Sequence, residues 1–267
     1  MKTKTQKLKS LLVLGLLFPL ILICNFNYNI NYEPKIEDPK TSDTYNGIFI
    51  DDTISNNGTS WGNWTWARTQ SWCTKGNGTK GNPYVIEDSI FLSAGPSDCL
   101  LIQNSIKHFI IENCTFKDIP VADFAGIKLN NVTNGLIENN RVYNNSHGIF
   151  LYKSSDNNIT GNVVHDNINS GIYLRDTCNQ NNIINNTANN NKWGIILDYG
   201  SSPGPTNNRI INNTANYNSE DGIYNKMCDY NNFTANILNY NKNRGIFIEG
   251  GSIFNNIINN TARWNGI

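Results

Sequence analysis

The chain has 267 residues, with 21 basic and 21 acidic side chains, so it carries no formal net charge at neutral pH. That balance leaves no basic face for phosphates and argues against a nucleic-acid partner. The length suits one large domain or two small ones.

In chain order, Met1 to Cys24 joins Lys2, Lys4, Lys7 and Lys9 to the apolar run LLVLGLLFPLILIC. This is the layout of an export signal, and the run is short for a membrane span. Taking those 4 lysines from the 21 basic residues leaves 17 against 21 acidic ones, a net charge near −4 for the rest. An extracellular or cell-surface location is expected, with membrane contact only through this segment. No small-x-small cleavage site follows, so an uncleaved N-terminal anchor is the alternative. Residues 25–75 read as a linker and a capping segment, in which WGNWTWARTQSWC places Trp61, Trp64, Trp66 and Trp72 together.

Residues 76–267 are periodic. Glycine followed by isoleucine recurs at Gly126, Gly148, Gly171, Gly194, Gly222, Gly245 and Gly266, in steps of 22, 23, 23, 28, 23 and 21 residues. The long step contains DYGSSPGPTNN, an inserted loop expected at the rim of any binding face. After each glycine, apolar residues alternate, as in Ile149 and Leu151 or Ile172 and Leu174, which marks short strands. Asparagine falls into three columns: Asn157, Asn181, Asn208, Asn231, Asn255; then Asn140, Asn162, Asn186, Asn213, Asn236, Asn260; then Asn145, Asn167, Asn191, Asn218, Asn241, Asn265. A repeat of about 23 residues with Asn-rich bends predicts an all-β, right-handed parallel β-helix, a solenoid of about eight turns with three short strands per turn. Asn suits the bends through its tolerance of left-handed backbone, and stacked Asn side chains hydrogen-bond along the axis. Glycine is expected to ease a bend by lacking a Cβ. A leucine-rich repeat fits worse, because its signature is absent. Gly266-Ile267 opens a turn with no cap, so the repeats read as C-terminally incomplete, and an open strand edge there offers a route to self-association.

The segments GNGTKGNPYVIED, GIKLNN, GIFLYKSSDNNITGN and GIYLRDTCNQNNIINN resemble the NosD-like and carbohydrate-binding β-helix repeat proteins of the pectin-lyase-like group, common among exported archaeal proteins. The resemblance covers about 190 residues. It implies the fold and leaves the function open, since the group holds lyases, hydrolases, epimerases, binding modules and stalks.

Chemical candidates are few. His108, His147 and His165 lie at three phases of the repeat, so no column gathers them. His147 occupies a variable position before glycine, read as solvated. His165-Asp166 matches only part of the Asp-Pro-His motif of β-helix uronate epimerases, with Val163 and Val164 in the first two places. No catalytic residue is assigned. Scattered histidines and dispersed acids predict no metal and no cofactor. Of the five cysteines after Cys24, Cys73 and Cys99 are the expected disulfide. The odd number leaves a free thiol, and the lack of CxxC spacing argues against zinc. Eleven N-x-S/T sequons read either as glycosylation sites or as by-products of an Asn-rich repeat.

The strongest candidate site is a face. Two and four residues after glycine, side chains point outward: Phe150, Tyr173, Tyr224 and Phe247 form an aromatic column, and Tyr152, Arg175, Asp198, Lys226 and Glu249 form a second column, mostly charged. The functional reading is a groove for extracellular polysaccharide or cell-surface glycan. The structural reading is ordinary strand surface, with the four charged residues pairing between turns. The expected function is an exported noncatalytic glycan-binding or structural module. The alternative is a polysaccharide lyase, hydrolase or epimerase acting on uronate-containing glycans.

Overall fold

Period-two apolar residues recurring every 23 residues or so build three parallel sheets wound as one solenoid. The computed structural model describes residues 43–266 except Ala94 and Ser202, so the export segment lies outside the described residues. The first sheet holds β1 (Thr44–Asn46), β5 (Ile90–Leu92), β8 (Thr115–Ile119), β11 (Arg141–Asn145) and β14 (Val163–His165). The second holds β4 (Tyr84–Glu87), β7 (Phe109–Glu112), β10 (Gly135–Glu138), β13 (Asn158–Thr160), β16 (Asn182–Ile184), β18 (Arg209–Ile211), β20 (Asn232–Thr234) and β22 (Asn256–Ile258). The third holds β2 (Ile48–Asp51), β3 (Trp61–Gly62), β6 (Leu100–Ser105), β9 (Ala125–Val132), β12 (His147–Tyr152), β15 (Ser170–Arg175), β17 (Trp193–Asp198), β19 (Ile223–Lys226) and β21 (Ile246–Glu249). The eight strands of the second sheet make seven steps along the axis, each about 4.8 Å.

Two details differ from the sequence expectation. Strands begin upstream of residue 76: β1 pairs with β5 and β2 with β6, because Ile48 and Ile50 alternate as the later core residues do. Beyond β14 the first sheet thins to single bridges at Thr187, Thr214, Ile237 and Thr261. There Ala188 and Ala215 replace Val142 and Val164, and alanine has less preference for extended backbone than a β-branched residue. Near the first coils, Trp64, Trp66 and Trp72 are buried in the core while Trp61 is exposed. Trp64 opens the one-turn helix α1 (Trp64–Ala67), capped by Asn63, and stacks on Tyr84 at 4.7 Å. Its indole N–H donates to Ser105 Oγ at 2.8 Å.

Inside the coils, Ile149, Ile172, Ile195 and Ile223 stack in one fully buried column and Leu151, Leu174 and Leu197 in another. Between the sheets run the three asparagine ladders. Asn162 is typical: its Nδ2 donates to Asn186 Oδ1 at 2.9 Å and to Ile137 O at 2.9 Å. Its Oδ1 accepts from Asn140 N and Asn140 Nδ2, both at 3.0 Å. Every polar atom of a fully buried carboxamide is thereby satisfied, which is the condition for placing it there at low cost.

The ladder asparagine and the bend residue are different residues. Asn185, Asn212 and Asn259 take left-handed φ of +57°, +55° and +54° and are exposed. Their neighbours Asn186, Asn213 and Asn260 are ladder rungs, and Thr187, Thr214 and Thr261 form the next bridges. Each letter of these N-N-T sequons has a structural use without any glycan.

The repeating glycines are required for room, not for an unusual φ. A Cβ on Gly171 would lie 2.7 Å from Gly194 O and 2.8 Å from Asn191 Nδ2. The disulfide expectation is corrected. Cys73 and Cys99 are both free buried thiols, as are Cys114, Cys178 and Cys228. Cys99 sits at the glycine register of the third sheet, where its thiol reaches Lys117 O at 3.5 Å, so the core packs it as a small apolar residue. Burial pushes the Cys73 and Cys99 thiols up to about 12, away from thiolate chemistry.

Two substitutions test this packing. Gly171→Ala is expected to lower the urea-unfolding free energy by about 1–3 kcal/mol, as overpacking does. Asn225 replaces leucine in the buried column, and its Oδ1 has no partner while Nδ2 donates to Cys228 O. Cys228 O also accepts from Asn255 Nδ2, so Asn225→Leu leaves that carbonyl satisfied. It is expected to raise stability by about 1–2 kcal/mol in the same assay.

Candidate functional site

On each strand of the third sheet the residues next to the inward isoleucine and leucine must face out. Parallel pairing then sets Phe150, Tyr173, Ile196, Tyr224 and Phe247 in one outward row. Tyr152, Arg175, Asp198, Lys226 and Glu249 form the row beside it. The rings stack as the register dictates, with Phe150 and Tyr173 at 4.7 Å and Tyr224 and Phe247 at 5.3 Å between centroids.

This outward surface is a second apolar cluster rather than open strand surface. Phe150, Tyr173 and Ile196 are each less than 10% exposed, with Tyr152, Trp193 and Tyr224 packed against them. They floor a cleft of about 430 Å³ whose sides include His147, Arg175, Trp193, Asp198 and Lys226. A second hollow of about 590 Å³ shares Asp123, Phe150 and Arg175, and continues over Lys128, Tyr152 and the Gly200–Ser201 backbone. Asp123 precedes β9 and Gly200 follows β17, so lips come from both ends of the strands. Ser201, in the inserted loop, is tied down by its N–H donating to Asp176 Oδ1 at 2.6 Å. Phe247 and Glu249 extend the two rows one coil further.

The charged row does not pair within itself. Tyr173 O–H donates to Asp198 Oδ2 at 2.9 Å, and Tyr224 O–H donates to Glu249. Burial, reinforced by the carboxylate each one faces, pushes both phenols well above their ordinary range. Among the described residues, ion pairs form at Lys75, Lys117, Lys128, His165 and Arg244, and neither Arg175 nor Lys226 makes one. Two cations therefore stand over an aromatic floor without a protein carboxylate of their own. Lys128, by contrast, pairs with the buried Asp98 at 3.8 Å.

His147 belongs to this site, which corrects its reading as a solvated bend residue. Its ring packs 5.5 Å from Phe150 and 5.3 Å from Tyr173, and its Nδ1 is 2.7 Å from Ser170 Oγ. Burial pulls its pKa down to about 4; Asp123 opposes the shift, while Lys128 and Arg175 add to it. His147 and Trp193 are the first residues of β12 and β17, where alternation is not yet established, so period two does not reveal where they face. His165 lies elsewhere, on β14, stacked on Tyr143 at 5.2 Å with Nδ1 2.6 Å from Asp166.

A family model described as "Right handed beta helix region" matches residues 53–210, more than half of the chain, and the protein belongs to that family. A comparison with curated proteins gives no match. Among solved structures, the chain is similar to a mutant of the periplasmic alginate epimerase AlgG, with a TM-score of 0.54 and 18% identity over 66% of this chain and 44% of that one. It is also similar to an alginate lyase from Paenibacillus sp. str. FPU-7, with a TM-score of 0.54 and 12% identity over 83% of this chain and 92% of that one. The A-module of the Azotobacter vinelandii mannuronan C-5 epimerase AlgE4 gives a TM-score of 0.50 and 15% identity, over 68% and 64%. At these identities the likeness is one of fold, and this chain spans about half the length of the AlgG structures it matches.

The buried imidazole has a pH signature. An unfolded chain takes up this proton near 6.5, the folded one only near 4. Between those values the unfolded state holds more protons, so His147 makes stability fall as pH drops through the window and adds no slope above it. The fall in thermal midpoint from about pH 7 to about pH 4.5 is expected to be smaller in His147→Gln than in the wild type.

Proposed function

We propose that this is an exported surface protein that binds an extended anionic polysaccharide, of the uronate kind, in the cleft over the third sheet, without changing it. The observation that carries the reading is the pair of unpaired cations, Arg175 and Lys226, above buried aromatic rings. Rings offer apolar area to sugar faces, and a guanidinium offers a fork to a carboxylate. The structural likeness to proteins named as alginate epimerases and an alginate lyase supports a glycan partner. NosD-like kinship, an archaeal type of export and an N-terminal signal belong to the same reading.

A second reading, as a lyase or epimerase, is favoured by one observation. His147, neutral at pH 7, lies against Tyr173, whose phenol keeps its proton, with Arg175 on the same cleft. A neutral imidazole accepts a proton, a phenol gives one, and a cation steadies the carboxylate beside the reacting carbon.

Affinity electrophoresis in alginate and polygalacturonate gels tests the first reading. Retardation is expected, weakened about tenfold or more in Arg175→Ala and in Lys226→Ala, and lessened by salt. Equal retardation by neutral glucan, or no effect of either substitution, would sink it. Absorbance from unsaturated sugar ends, lost in His147→Gln, would replace binding by catalysis.

A further inference from the structure

Over its last four strands the outward face of the third sheet has a period of two coils, twice that of the fold. β15 presents Tyr173 and Arg175, and β17 presents Ile196 and Asp198. β19 repeats the first pattern with Tyr224 and Lys226, and β21 repeats the second with Phe247 and Glu249. In both repeats the tyrosine lies two residues before a cation on its own strand, and its hydroxyl reaches the carboxylate of the next coil. Those carboxylates are the ones in register with the cations: Arg175 is paired in the ladder with Asp198, and Lys226 with Glu249.

Registry alone would place opposite charges side by side, the arrangement that ordinarily makes cross-strand pairs. The phenols intercept the acids instead. Since a carboxylate held by one hydroxyl is less available to a neighbouring cation, each tyrosine keeps a cation open. The open cations are two strand spacings apart, about 10 Å. The two hollows run in this same direction, crossing β9, β12, β15, β17 and β19. A sugar in an extended chain advances by nearly one strand spacing, so two coils span two sugars. Between the cations in their own row stands Asp198, with Ile196 beside it in the ring row, so the intervening rung offers the sugar there apolar surface and no cation.

We infer that the cleft reads its ligand in two-sugar steps, with one anionic group facing the sheet per step, and that Tyr173 and Tyr224 are positioning residues that hold Asp198 and Glu249 off Arg175 and Lys226. This deepens the anionic-glycan reading above and rests on it. The ligand class is an extended polysaccharide in which every second sugar turns a carboxylate to the same side.

The test uses the full chain and oligomers of one β-1,4-glucan backbone: unoxidised, oxidised to uronate at every second sugar, and oxidised at every sugar. Calorimetry is expected to give equal affinities for the two oxidised oligomers and none for the neutral one. An affinity for the alternating oligomer at least tenfold below that of the fully oxidised one would overturn the two-sugar step and leave the anionic-glycan reading standing. No preference of either oxidised oligomer over the neutral one would overturn both. Tyr173→Phe is expected to weaken binding of the alternating oligomer about fivefold, the scale of one released ion pair. Adding Asp198→Asn to it should restore the affinity, because the competing charge is gone. Unchanged affinity in Tyr173→Phe, or no rescue in the double variant, with circular dichroism like the wild type's, would overturn the positioning role.

Discussion

The carboxamide ladder is the constraint on which the rest depends. A buried amide is tolerable only with all its donors and acceptors engaged. Here the inner asparagines of each ladder meet that condition only with the help of the coils above and below, as Asn213 does with Asn186 and Asn236. The three ladders therefore allow one coil spacing and one register. Slipping a coil by a residue would orphan a whole row of amides and turn isoleucine outward. Glycine follows from the same requirement, since a Cβ at Gly148, Gly171 or Gly194 would press on both a ladder amide and a neighbouring carbonyl.

A register held that rigidly turns a one-dimensional pattern into a surface. Because Phe150 must stack over Tyr173, and Tyr224 over Phe247, aromatic letters at one repeat position become a continuous floor. Bulk then creates a second apolar layer outside the solenoid core, and Trp193 and His147 close over it. The desolvation that follows is what shifts the groups there: the imidazole loses its tendency to protonate and the phenols keep their protons. In the same setting an unsatisfied hydroxyl would be costly, which is why Tyr173 and Tyr224 seek the nearest carboxylates.

Legibility in the sequence was uneven in an instructive way. The three asparagine columns, the glycine column and the inward isoleucines are plain in the letters, because each coil repeats the same demand and the signal adds up. The outward rows containing Phe150, Tyr173, Arg175, Asp198 and Lys226 were readable for the same reason. The disulfide was not: export permits one, and Cys73 and Cys99 both lie near the start of the domain, yet each fills a small apolar slot of its own. In the letters His147 reads as solvated and Trp193 is not joined to the outward rows, because the residue before glycine has no fixed facing. The first strands, at Thr44–Asn46 and Ile48–Asp51, carry too little repeat to be recognised alone.

By itself, then, the sequence determined the architecture and which residues are neighbours one coil apart, since a satisfied ladder with an apolar interior has a single register. The partner each side chain takes was decided only in three dimensions. Arg175, Asp198, Lys226 and Glu249 read as a self-paired row of charges, but the tyrosines beside them compete for the acids at hydrogen-bonding distance. Such competition depends on the reach and burial of particular atoms. A periodic pattern records which residues adjoin, and carries no information about which of two adjoining donors an acid accepts.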